Sequence, residues 1–118
     1  MPRPPVLLLA AALVPAACSL DTGPPTTVAL AVLADHADHW SGRRVRVQGR
    51  MHGLEDPEHF WIEDDHLNRV AVEPDAEAES FVGQYVRVTG RFHYSRRDGR
   101  SIDSERIEPV EAVRRGDS

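Results

Sequence analysis

The sequence predicts a mainly β domain: five strands rolled into a barrel, one helix ahead of the first strand, and a short helix between the third and the fourth. Three observations carry this. Apolar and polar residues alternate in several short runs, the period of half-buried strands. Helical spacing of apolar residues stands out once, just before the first of those runs. And one pattern of eleven residues occurs twice, each time with a glycine in mid-strand, where a barrel wall has to bend.

A leader precedes the domain. Met1-Pro2-Arg3-Pro4-Pro5 carries one positive charge, residues 6–14 are continuously apolar, and Pro15-Ala16-Ala17 places small residues ahead of Cys18. This is the secretory signal pattern. The apolar run is too short to cross a bilayer as a helix, which takes about twenty residues. The tetrad Pro15-Ala16-Ala17-Cys18 resembles the bacterial lipobox, with Pro15 where leucine is usual. That resemblance implies that residues 1–17 are removed as a signal peptide and that Cys18 becomes a lipidated first residue, anchoring the protein to a membrane of the cell envelope. Acyl chains contribute roughly 0.8 kcal/mol per buried methylene, so several chains hold firmly. Ser19 stands where aspartate would signal inner-membrane retention, so in a Gram-negative cell the resemblance favours the outer membrane, facing the periplasm. The alternative is an ordinary secretory signal with Cys18 incidental. Cys18 is the single cysteine, so an internal disulfide or a multi-cysteine metal site is excluded.

Residues 18–27, rich in Ser, Thr, Gly and Pro, read as the lipidated cysteine and a flexible tether. The folded domain is expected over 28–112, with a disordered tail over 113–118. In Val28–Trp40, residues Leu30, Leu33, Ala34, Ala37 and Trp40 form an apolar helical stripe, closed by Ser41-Gly42. Val45, Val47, Gly49 and Met51 then alternate with Arg46, Gln48, Arg50 and His52, giving the first strand. Gly53–Glu58 reads as a turn. His59–Glu63 is the second strand, with Phe60 and Ile62 on one face and Trp61 on the other. Arg69–Val72 is the third, Pro74–Phe81 the short helix, and Tyr85–Tyr94 the fourth strand. Asp98-Gly99 marks a hairpin turn leading into a fifth strand over Ser101–Val110.

The repeated pattern is GRRVRVQGRMH at 42–52 and GQYVRVTGRFH at 83–93. Each copy enters after a glycine, offers two valines to the core and bends at a second glycine. On this strand order and these two coiled strands the chain resembles the oligonucleotide/oligosaccharide-binding (OB) fold, a five-stranded Greek-key barrel. The runs LADHADHWSGRRVRVQGRM and FVGQYVRVTGRF further resemble small envelope OB-fold proteins of the anticodon-binding-like group. The resemblance covers roughly 28–110 and implies a fold rather than an activity, since the fold hosts many functions. Members that hold haem use His-x-x-x-Tyr; this chain has His93-Tyr94, so no cofactor is implied.

Composition narrows the function. The net charge is −5, which argues against nucleic acid as a partner. All fourteen basic residues are arginine. No nucleophile elbow, phosphate loop or helical zinc-protease motif is present, so an enzyme is not expected. His36 and His39 lie three apart on the expected helix, a spacing that permits a two-histidine metal site if His59 or His66 joined it, though a solvated helix face is the simpler reading. The outward residues are more informative. Arg46, Arg50 and His52 on the first strand, Arg87 and Arg91 on the fourth, and Trp61 on the second make a possible ligand face. Glu63, Asp64, Asp103 and Glu105 on neighbouring strands also permit charge-matched ladders with no ligand, and these are favoured for the arginines. Trp61 fits a ligand face better.

The expectation is therefore a lipid-anchored envelope protein with a non-catalytic binding or structural role. Its candidate partners are the membrane, another envelope protein or a glycan. The rival readings are a histidine-based metal binder and a nucleic-acid-binding OB domain.

Overall fold

A computed structural model describes residues 23–56 and 58–110. The signal peptide, Cys18, most of the tether and the tail over 113–118 lie outside the described residues. Among those described, no helix is long and apolar enough to cross a membrane.

The elements run β1 (Thr26–Thr27), α1 (Leu30–Asp35), α2 (Ala37–Trp40), β2 (Arg44–Glu55), β3 (Glu58–Glu63), β4 (Arg69–Glu73), α3 (Asp75–Glu79), β5 (Tyr85–Ser95) and β6 (Gly99–Pro109). The strands are ordered β1-β2-β3-β4-β6-β5, and β2 also pairs with β5, so the last five close into a barrel-like ring. β4 and β6 are parallel, and the other neighbours in that ring are antiparallel.

Ring closure depends on β2 changing partners along its length. Arg44 to Arg50 pair with β5, and Arg50 to Glu55 pair with β3. Gly49 sits at the change: a Cβ there would lie 3.0 Å from the Glu63 carbonyl oxygen and 3.0 Å from Leu30 Cδ1. The matching Gly90 serves a bulge, where the β5–β6 register shifts between Thr89 and Gly90. A Cβ on Gly90 would meet the Asp103 carbonyl oxygen at 2.3 Å. The entry glycines of the two copies, Gly42 and Gly83, share the same left-handed backbone, both with φ +93°.

The inward alternation is as expected. Val45, Val47, Met51, Phe60, Ile62, Val86, Val88, Phe92 and Ile102 are buried, joined by Leu30 and Leu33 from α1 and Ala78 from α3. Burying side chains of this kind contributes about 1.5–3 kcal/mol each for the larger ones, which is what closes a ring this small.

Three expectations need correction. The sheet has six strands rather than five, because Thr26 and Thr27, expected in the tether, pair in parallel with Val45 and Arg46. The single helix over Val28–Trp40 is two: His36 leaves the helical region at φ −131°, ψ 42°. The break lets Leu30 and Leu33 reach the core beside β2 and β4 while α2 packs on β5. And Gly53–Glu58 is not all turn. β2 runs on to Glu55, which pairs with Glu58. Gly53 is small because the Phe60 ring lies over it, 2.6 Å from where a Cβ would be.

Candidate functional site

Pairing of β2, β3 and β4 puts His52, Trp61 and Ala71 in one row on the outer face. Trp61 is half-buried there. The His52 ring lies near-parallel to the indole, 5.6 Å between centroids at 11°. His59, two residues earlier on β3, stacks at 5.4 Å and 28°. The Arg69 guanidinium lies over the indole, 5.3 Å from its centroid. Trp61 Nε1–H donates to Glu63 Oε1 at 3.0 Å, and Arg69 Nε donates to the same oxygen at 2.9 Å. These bonds, the Trp61 one first, hold the Glu63 carboxyl below the ordinary glutamate range. The indole is thus fixed in its plane by one carboxylate and bordered by three groups able to carry positive charge.

Trp61 lines an open cleft of about 480 Å³ whose other wall is the β5–β6 hairpin, with Tyr94, Arg96 and Arg100 facing the sheet. Asp98 at the rim is tied into the hairpin turn, its backbone N–H donating to Ser95 Oγ at 2.9 Å. Among the described residues the side chains of Arg96 and Arg100 have no ion pair or hydrogen bond. The cleft joins aromatic surface, placed for stacking, to two guanidiniums that can each grip a carboxylate or phosphate by two parallel bonds.

The sequence-predicted face is divided by the fold. His52 joins Trp61. Arg46 and Arg87 line a separate depression on the flank formed by β2, β5 and β6. Arg50 donates to the Gly83 carbonyl at 2.9 Å and lies over Tyr85. Arg91 donates to the Gly42 carbonyl at 2.7 Å. Charge ladders form as well: Arg44 grips Glu105 at 2.7 and 3.2 Å, and Arg87 lies 3.5 Å from Glu108. The Arg44 bonds hold the Glu105 carboxyl below its ordinary range. Asp64 is also held low: burial pushes it up, but hydrogen bonds from the Asn68 side chain and from the Asn68 and His66 backbone outweigh that. It pins the β3–β4 turn rather than joining the Trp61 face.

His36 and His39 stand together beside Tyr94 and Arg100, with His39 edge-on to Trp40 at 5.4 Å. Among the described residues no three His, Cys, Asp or Glu side chains gather closely enough to hold a metal ion. Arg96, Arg100 and Tyr94 were not in the predicted face. Their signal in the sequence is the basic hairpin tip, Arg96-Arg97-Asp98-Gly99-Arg100. No protein-family model matches the chain, and neither does any curated protein sequence.

Proposed function

We propose that this chain is an OB-fold envelope protein, lipid-anchored through Cys18, whose non-catalytic role is to bind an acidic glycan in the Trp61 cleft. Numbering only the five ring strands, their order is first-second-third-fifth-fourth and back to the first, with a helix between third and fourth. That order supports the OB reading, and OB folds use the face of strands two and three with adjoining loops for oligomeric ligands. Here those strands are β3 and β4, and the loop is the β5–β6 hairpin.

The observation that carries the proposal is Trp61: a tryptophan held on an outer barrel face by Glu63, opposite Arg96 and Arg100. A pyranose ring stacks on an indole, and its carboxylate or phosphate is a bidentate partner for arginine. The glycan chemistry also suits a protein displayed at an envelope surface.

Two measurements test this. The Trp40→Phe chain, which leaves Trp61 as the sole indole, is titrated with polygalacturonate and with neutral dextran. A saturable emission change with the acidic polymer only, lost in Arg96→Gln/Arg100→Gln, supports the reading; no response to either polymer sinks it. Incorporation of labelled palmitate into the wild type but not into Cys18→Ala tests the anchor, and an unlabelled wild type overturns it.

A further inference from the structure

The flank of the barrel away from Trp61 carries a second basic surface. In the ring, β3 and β4 lie opposite β5, separated from it by β2 and β6. On the β5 side, register places Arg46, Thr89 and Arg106 side by side across β2, β5 and β6. The next row is Gln48, Arg87 and Glu108. Arg46, Arg106, Gln48, Arg87 and Glu108, together with Thr27 of β1, line an open depression of about 510 Å³, with Thr89 buried beneath it. It shares no lining residue with the Trp61 cleft.

The charges here are not balanced. Glu108 engages Arg87 at 3.5 Å, and Glu105 is taken by Arg44 across the Gly90 bulge. Asp64, bordering the adjoining hollow, spends its oxygens on Asn68 and His66. Among the described residues the Arg46 side chain has only a long bond to Thr27 Oγ1, 3.5 Å, and the Arg106 side chain has no ion pair or hydrogen bond. Two arginines in an acidic protein are therefore left facing outward together, on a shallow surface with hydroxyl and amide donors between them.

The direction of the chain says what this flank meets. β1 pairs with Val45 and Arg46, so the polypeptide arriving from Cys18 enters the fold at this depression. Thr26 follows Cys18 by eight positions, a length that spans at most about 27 Å even when fully extended. We infer that the Arg46–Arg106 flank docks on an anionic lipid surface, with headgroup phosphates received between the two guanidiniums. The inference rests on the proposed anchor at Cys18. It also gives the Trp61 cleft a direction: with this flank on the bilayer, the cleft on the opposite side of the ring faces away from it.

The test uses the full chain as Cys18→Ala, so that covalent lipid plays no part, floated with two kinds of vesicle: phosphatidylcholine alone, and phosphatidylcholine with phosphatidylglycerol. The neutral vesicles register whatever the apolar leader contributes. Tighter binding to the anionic vesicles is expected, and Arg46→Gln/Arg106→Gln should weaken it by roughly 25-fold, about fivefold per arginine. That variant should keep the far-ultraviolet circular dichroism and urea midpoint of its parent, which shows that it is folded. Equal binding to both vesicles overturns the inference, and so does an undiminished double variant. Inorganic phosphate that displaces the protein only at concentrations where chloride does the same supports a lipid surface; selective displacement by low phosphate would mean a soluble anion site and overturn it. Because covalent lipid is absent, failure here is distinct from failure of palmitate labelling, which would remove the anchor alone.

Discussion

Trp61 and Glu63 lie two residues apart on β3, and the indole N–H of one donates to Oε1 of the other at 3.0 Å. Side chains at i and i+2 share a face of a strand, so this bond lies along the outer wall of the barrel. Arg69 reaches the same oxygen from β4 while its guanidinium covers the indole. One carboxylate thus sets the plane of the aromatic ring and the position of the cation over it.

The Glu63 carboxyl is depressed by these contacts, so it protonates at a lower pH than an ordinary glutamate. For a depressed carboxylate, the interaction is present above the unfolded value and is lost as pH falls through the folded one. In Trp40→Phe, Trp61 emission should hold steady from neutral pH through the ordinary glutamate range and then change in a step with its midpoint below that range. The step should vanish in Glu63→Gln. A step that persists in that variant would assign the transition to another group.

Much of the fold can be read from the sequence because its signals are local. Alternation identified the inward valines, Phe60 and Ile62, and the repeated glycines marked where β2 and β5 bend. What could not be read depends on partners far along the chain. Thr26-Thr27 has no strand pattern of its own and is extended because β2 offers it a free edge. Gly53 looks like a turn residue until Phe60 is laid over it. Arg96 and Arg100 reach Trp61 only because β6 returns beside β4, a parallel pairing between strands separated by α3 and β5. Trp61 and His52 share one predicted face with Arg46 and Arg87 for the same reason: alternation shows which residues face outward, but not which side of a closed ring they occupy.

The two copies of the repeat should respond differently to the same substitution. Gly90→Ala drives a methyl into backbone, 2.3 Å from the Asp103 carbonyl oxygen and 2.8 Å from Ser104 Cα. Relief requires moving the bulge, at a cost of about 3 kcal/mol, the upper part of the overpacking range. Gly49→Ala meets its nearest atoms at 3.0 Å, one of them the rotatable Leu30 side chain. Its cost should be smaller, about 1 kcal/mol. Urea unfolding of both variants measures the difference, and equal losses would mean that the bulge yields.

Stability should depend little on the charge ladder and strongly on the core. Arg44–Glu105 is the best-formed pair on the arginine flank, yet its side chains remain 22% and 44% exposed. Exposed pairs contribute about 0–1 kcal/mol, so Glu105→Gln should lower stability by less than about 1 kcal/mol. Phe92 is fully buried inside the ring, and Phe92→Ala should cost about 3–5 kcal/mol. Denaturant midpoints at matched pH compare the two. A large loss in Glu105→Gln would show that the carboxylate holds the Gly90 bulge in place.

Trp61 itself separates structure from binding. Its neighbours on β3, Phe60 and Ile62, point into the core, whereas the indole lies on the outer wall and packs on His52, His59 and Arg69. Removing it opens no interior cavity, so Trp61→Ala should cost no more than about 1 kcal/mol, as for most surface changes. If the indole is the platform for a sugar ring, the same variant should lose binding by roughly 30-fold, the effect of deleting a central aromatic anchor. Trp61→Phe keeps a stacking face but gives up the bond to Glu63, so it should recover part of the affinity. Calorimetric titration with polygalacturonate reads these affinities without relying on the deleted fluorophore. A Trp61→Ala chain that is strongly destabilised would mean that the indole, with Glu63 and Arg69, clamps β3 to β4; a stable chain with wild-type affinity would move the glycan site off this face.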